Sequence, residues 1–194
     1  ATVDENGNLQ LDMTLDSSLA GLFLFGAFSA DDSRVVATME AVRDGLWVTT
    51  PIGGMARYSN DYYHAVTGND PHVPGNPWFI TTLWMAQWEI ARARQHEDLS
   101  AAFKYLNWCV QHAAPSGALA EQVHPYTNLP ISVSPLTWSH ATFVATIMDY
   151  LQRRKELLTD VGVEAHLHRP GRHRRLGQLK PSWHINHQLF GTKS

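Results

Sequence analysis

From residue 15 to residue 158 the apolar positions recur with helical spacing, in five segments that alternate in kind. Asp16 is a plausible N-cap for residues 17–28, SSLAGLFLFGAF, which are apolar on nearly every side and predict an enclosed helix. Asp31 and Asp32 open residues 33–46, where Val35, Met39, Val42 and Leu46 form one stripe with charges opposite, so this helix keeps a wet face. Asn76 and Pro77 read as an N-cap and first-turn pair for residues 78–94. There Trp78, Phe79, Ile80, Leu83, Trp84, Met85 and Trp88 cover much of the circumference, and enclosure is again expected. Residues 99–114 carry Leu99, Ala102, Phe103, Leu106 and Val110 along one stripe with Lys104, Asn107 and Gln111 elsewhere. Ser134 and Pro135 repeat the cap signature before residues 136–157, whose stripe is Val144, Ile147, Met148 and Leu151.

Enclosed and half-wet helices in alternation are what two concentric helical layers require, because an inner helix is covered on both sides and an outer one on one side only. No strand pattern of comparable strength competes, so the expected fold class is all-α and layered. Loops leading into the inner helices would then meet at one end of the axis. They are residues 57–63, 76–78 and 121–138. The first two belong to a long Gly- and Pro-punctuated connection, residues 48–75 and the start of the next helix, of the kind that in a compact domain carries function or is disordered.

With 194 residues, 44% of them hydrophobic, the chain suffices for one domain with a sizeable core. A net charge of −3 makes no electrostatic case for nucleic acid or an anionic membrane, and the apolar run Leu19–Phe28 is too short to span a bilayer. Neither is expected as a partner. The single cysteine, Cys109, lies in a helical pattern and reads as core. His112, His124 and His140 share no metal-ligand spacing, so no metal and no cofactor is expected. Residues 1–14 read as a lead-in after an internal cut, and 15–158 as the helical domain. Residues 159–194 change composition: after Glu164 stand five of the eleven His and six of the fifteen Lys plus Arg. That stretch is expected to be a weakly structured or non-native tail rather than a phosphate- or metal-binding arm.

The converging loops carry a particular mixture. Arg57 and Asp61 offer charge-assisted hydrogen bonds, Trp78, Trp138 and Tyr62 or Tyr63 offer flat apolar faces, and Glu121 with Gln122 offers a base beside an amide. A pyranose has a face of C–H groups and an equator of hydroxyls, and such a mixture satisfies both. Aromatic packing residues and a solvated loop glutamate would look the same in sequence, so at this level both readings stand.

Four motifs in order, GGMARYSNDYY, PGNPWFITTLWMAQ, SGALAEQ and SPLTWSHATFVA, resemble the later helices of glycoside hydrolase family 15, the glucoamylase-like inverting α-glucosidases. The resemblance extends more loosely over residues 15–156. It implies an (α/α)6 toroid of which about the last five helices are present. It also implies that Glu121 is the general base and that Gln122 helps hold the attacking water. Arg57 matches the arginine that binds the sugar being cleaved, Asp61 the acidic residue after it, and Trp78 and Trp138 aromatic residues of the pocket. The substrate would be an α-glucoside oligosaccharide or polysaccharide of the starch, maltooligosaccharide or trehalose type.

One part of the pattern is missing. The family's general acid lies N-terminal to the base, ahead of residue 1. Glu40 and Glu97, on or beside polar helix faces, and Glu89, deep in its helix, are not replacements. The expectation is a chain that is catalytically incomplete by itself and exposes apolar faces unless another chain or self-association completes it. The rival expectation is a non-catalytic carbohydrate-binding or regulatory module on the same toroid, since fold does not guarantee activity.

Overall fold

In the computed structural model, which describes residues 2–167 with side chains as far as 159, five helices and six very short strands follow the chain. A two-residue hairpin, β1 (Thr2–Val3) with β2 (Leu9–Gln10), leads into a 3-10 turn at Ser17–Ala20 and α1 (Gly21–Leu24). Then come α2 (Ser33–Leu46), β3 (Met55–Ala56), β4 (Pro77–Trp78), α3 (Phe79–Arg92), a 3-10 turn at His96–Asp98, α4 (Leu99–His112), β5 (Gln122–Val123), β6 (Pro130–Ile131) and α5 (Thr137–Leu167). The chain is helix-rich, with its helices packed around a common core as the all-α expectation had it, and it adds short strands that were not expected.

α3 is the centre. Nine of its residues are buried, and it packs against α4, α5 and the Ser17–Ala20 turn. The core around it joins Met39 and Leu46 of α2, Phe79, Leu83, Met85 and Trp88 of α3, and Tyr105, Leu106 and Trp108 of α4. Wet faces fall on α2 and α4 as expected, and Val35, Met39, Val42 and Leu46 are all buried. Cys109 is a buried free thiol whose pKa burial pushes up.

Several local expectations are corrected. Residues 17–28 are not one enclosed helix: α1 covers only Gly21–Leu24, with Leu22, Phe23 and Leu24 half-buried against the core, while Phe25 is 88% exposed and Leu19 and Phe28 are also exposed, Phe28 lying under the Arg34 guanidinium at 4.4 Å. On α4, Phe103 and Val110 face solvent, while Tyr105, Trp108 and Cys109 turn inward. On α5 three of the four residues of the expected stripe point outward, and Ile147 alone of them packs on the core. Val144, Met148 and Leu151 are exposed, and the face laid on the body carries buried Ser139, Thr142 and Thr146 with half-buried Phe143 and Ile147. Small hydroxyl residues let α5 approach closely, and Thr146 satisfies its own hydroxyl by donating to the carbonyl of Thr142 (2.7 Å).

Helix starts differ too. Asp16 and Asp32 cap as read, their carboxylates accepting from the amides of Ser18 (2.7 Å) and Arg34 (2.9 Å). Asn76 and Pro77 do not open α3, which starts at Phe79, because Pro77 and Trp78 pair as β4 with Ala56 and Met55. Ser134–Pro135 is a cis peptide, and α5 starts at Thr137. α5 also continues past the boundary expected at residue 158; the tail reading for 168–194 lies outside the described residues.

The unexpected element is an antiparallel sheet in the order β3-β4-β5-β6, with Met55 opposite Trp78, Trp78 opposite Gln122, and Gln122 opposite Ile131. Two-residue strands have no period for a sequence to display. The sheet is bolted to the first turn of α3 by two fully buried threonines. Thr82 Oγ1 accepts from the Met55 amide (2.9 Å) and donates to the Trp78 carbonyl (2.7 Å), and Thr81 Oγ1 donates to the Met55 carbonyl (2.6 Å).

Candidate functional site

The sheet gathers the loops. Arg57 follows β3, Trp78 lies in β4, and Gln122 lies in β5 with Glu121 immediately before it. Glu121 is tied by its backbone on two sides: its amide donates to the Val133 carbonyl (2.8 Å), and its carbonyl accepts from the amide of Phe79, the first residue of α3 (3.4 Å). α5 is tied to the same stretch, because buried Ser139 donates to the Ala120 carbonyl (2.7 Å) and the Leu119 amide donates to Nε2 of His140 (2.9 Å).

Arg57 is aimed by a fork. Its Nε and Nη2 donate to the two oxygens of Asp61 at 2.9 and 2.8 Å, and Asp61 Oδ1 also accepts from the Tyr63 amide (3.0 Å). The Asp61 side chain is 1% exposed, that of Arg57 about a third. Burial opposes the guanidinium charge, but the Asp61 carboxylate offsets it and leaves the Arg57 pKa raised. Around the cation stand three rings, Trp78 at 4.7 Å, Tyr58 at 4.8 Å and Tyr63 at 5.2 Å from the guanidinium carbon, with Tyr63 and Trp78 themselves 6.0 Å apart. Burial, and then the Asp61 carboxylate, raises the Tyr58 phenol above its usual range.

Opposite this group the side chains are inward-facing and underused. Gln122 is fully buried, and its Oε1 accepts from Asn76 Nδ2 at 2.7 Å. Among the described residues five buried side-chain polar atoms have no protein hydrogen-bond partner, and four belong here: Glu121 Oε2, Gln122 Nε2, Trp78 Nε1 and Asn76 Oδ1. Each such atom costs about 1–3 kcal/mol if left unpaired, so the four clustered here are where a water or another polar group would pair.

Of the residues singled out in the sequence, Arg57, Asp61, Trp78, Glu121 and Gln122 are therefore brought to one sheet. Trp138 lies on α5 rather than on the sheet, next to the Ser139 that donates to the Ala120 carbonyl. It is 54% exposed at the start of α5, with its ring edge-on to Trp84, centroids 6.1 Å apart. Of the two candidate tyrosines, Tyr63 joins Arg57 and Tyr62 is largely exposed. Sequence reasoning missed Tyr58 and Asn76; the second was hidden by its look of a helix cap. Glu40 and Glu97 are exposed, and Glu89 lies ten residues into α3, about 15 Å along the axis from Phe79. Among the described residues no helix is long and apolar enough to cross a membrane.

Comparisons with known proteins bear on the family and the fold. A family model described as glycosyl hydrolases family 15 matches residues 96–148, which hold Glu121, Gln122 and Trp138. The chain is 32% identical over 149 residues to an uncharacterized glycosyl hydrolase of Methanocaldococcus jannaschii, covering 72% of this chain and 22% of that protein. It is 28% identical over 152 residues to a glucoamylase of Clostridium sp., covering 76% and 21%. Matches of this extent necessarily include the stretch from Arg57 to Trp138. The chain thus spans about a fifth of the length of these curated relatives. Among solved structures it resembles a bacterial glucoamylase complexed with acarbose, with a TM-score of 0.61 and 29% identity over 73% of this chain and 21% of that one. The glucoamylase of Hormoconis resinae shares the fold, with a TM-score of 0.53 and 20% identity over 76% of this chain and 34% of that one.

Proposed function

Because the chain carries a partial region of glycosyl hydrolase family 15, we propose that it supplies the base-bearing side of a site that releases glucose from α-glucosides by inverting hydrolysis. One observation carries this reading: Glu121, Gln122 and Trp78 each leave a buried polar atom without a protein partner on the sheet that also holds the Arg57–Asp61 fork. A sugar hydroxyl or a water is the kind of group that would pair with them, while the exposed ring of Tyr63, beside the buried Trp78, offers apolar surface to the C–H face of a ring. The relative solved with acarbose supports an oligosaccharide as the ligand.

In this mechanism Arg57, held by Asp61, hydrogen-bonds the hydroxyls of the sugar being cleaved. Deprotonated Glu121 takes a proton from a water as that water attacks the anomeric carbon, and Gln122 helps to hold the water. The bond to the leaving oxygen breaks with its electron pair while a carboxylic acid across the sugar, roughly 6.5–9.5 Å from Glu121, donates a proton to it. None of Glu40, Glu89 and Glu97 is placed for that role, so we assign the acid to the remainder of a toroid. The surface that it would meet is Phe25 and Phe28, after α1, with the outward apolar face of α5, covered by a longer form of the protein, another chain or self-association. The toroid segment would then run from residue 15 to the end of α5 at residue 167, with 1–14 a lead-in.

The test is an assay of this chain on maltose, maltooligosaccharides, starch and trehalose, alongside calorimetric titration with acarbose. The expected result is sugar binding that depends on Arg57 and Glu121, without turnover. Hydrolysis by the chain alone that is abolished by Glu121→Gln would refute the incompleteness. Binding unaffected by Arg57→Ala and Glu121→Ala would remove the site.

A further inference from the structure

The geometry points to Asn76 as a positioning residue that fixes the orientation of the buried Gln122 amide, with Nε2 turned away from Asn76 and left for a water or ligand to pair, an inference that deepens the functional reading above and rests on it for the identity of that ligand.

Asn76 is 2% exposed, and one of its side-chain atoms makes two contacts, at 2.8 Å to the backbone carbonyl of His64 and at 2.7 Å to an amide atom of Gln122. A backbone carbonyl can only accept. The shared atom is therefore the nitrogen Nδ2, and each of its hydrogens is used once. The Gln122 atom facing it must then be the oxygen Oε1, which sends Nε2 the other way with both hydrogens free of protein partners. The backbone of Gln122 cannot turn to undo this, since it is paired with Trp78 on one side and Ile131 on the other. A chain of three groups, His64 carbonyl to Asn76 amide to Gln122 amide, thus sets which end of Gln122 a bound molecule meets. Without Asn76 the two amide orientations would differ little, and a ligand would meet an acceptor as often as a donor.

Asn76→Asp changes one side-chain atom and removes the shared donor. At neutral pH the new carboxylate only accepts, so it draws Nε2–H toward itself and inverts the Gln122 amide; at acid pH the protonated carboxyl can donate and restore the original orientation. The full chain labelled with 15N-glutamine reads this directly, the Gln122 side-chain pair being the one missing from Gln122→Glu. In the wild type that pair is expected to keep its position with pH and to shift on titration with maltose. In Asn76→Asp at neutral pH it is expected to move, to show one hydrogen protected from exchange, and to respond to maltose about tenfold more weakly. It should return toward the wild-type position on acidification. A Gln122 pair unchanged by the substitution, or changed but indifferent to pH, overturns the proposal. Inversion that follows pH in the absence of any maltose response in either protein upholds the positioning role and removes the sugar site instead. Neutron diffraction from the wild-type chain reads the same atoms without a substitution, and deuterium on Gln122 between its amide and Asn76 overturns the proposal.

Discussion

Asp61 holds Arg57 by two parallel hydrogen bonds, 2.9 Å to Nε and 2.8 Å to Nη2, with the carboxylate buried and the guanidinium partly exposed. The buried carboxylate is the anchor, and the guanidinium is the part left accessible. Asp61→Ala leaves the guanidinium without its fork and the Tyr63 amide without its acceptor. The loss expected is about 1–3 kcal/mol in chemical denaturation, together with loss of acarbose binding. Arg57→Lys keeps a charge but cannot reproduce the fork, so binding should fall while stability changes little. Equal effects of the two substitutions on stability would contradict the division of roles.

Gly75 is the spacer that allows Asp61 to sit where it does. A Cβ there would lie 2.9 Å from the Asp61 Cβ, closer than such atoms approach, and a tight 3.3 Å from the Ala56 Cβ. Gly75→Ala is expected to push the 57–61 turn away from the loop before β4, destabilising by about 1–3 kcal/mol as overpacking does, and to weaken acarbose binding by disturbing the fork. Thermal melting and calorimetry on the same sample check both.

Thr82 joins sheet to helix through one hydroxyl that accepts from the Met55 amide and donates to the Trp78 carbonyl. Thr82→Val is nearly isosteric and strands a buried backbone N–H. The expected cost is about 1–3 kcal/mol, with faster hydrogen exchange at Met55 as the local signature. Unchanged exchange at Met55 would show that the sheet does not depend on this bolt.

Asp149, half-buried on α5, has a carboxyl pKa raised by desolvation and only partly brought back by its hydrogen bond with Gln87. Its folded pKa therefore lies above its unfolded one. The unfolded state releases this proton first, so the group costs stability once pH rises through the unfolded value. The full cost is reached above the folded value, and it vanishes as pH falls below both. Asp149→Asn is expected to stabilise the chain at neutral pH by less than about 1 kcal/mol, since partial exposure screens the charge. The gain should disappear in acid. Denaturation at a series of pH values measures it, and a gain that grew on acidification would reverse the sign argued here.

The helices were legible because they are long enough to repeat. Fourteen residues each in α2, α3 and α4 give three or four turns over which an apolar stripe declares itself, and Asp16 and Asp32 announce their helices by a local hydrogen bond that needs no tertiary partner. Which apolar residues would be covered was less legible. Val144, Met148 and Leu151 have the spacing of a buried stripe, yet the body packs against Ser139, Thr142 and Thr146, because close approach favours small side chains and the pattern cannot say which of two faces a neighbour takes.

For the site, the sequence determined the chemistry. The residue types, their order and the four motifs named Arg57, Asp61, Trp78, Glu121, Gln122 and Trp138 as candidates, and all but Trp138 meet on one sheet. Only the tertiary structure decided how they meet. Two-residue strands drawn from residues 55–131 carry no periodic signal, so the pairing of Trp78 with Gln122 and the role of Asn76 as a link between loops could not be read along the chain. Hydrogen-bond capacity is a property of a residue, but whether it is used is a property of its neighbours. The unused capacity at Glu121, Gln122 and Trp78, from which the functional reading was built, exists only once the chain is folded.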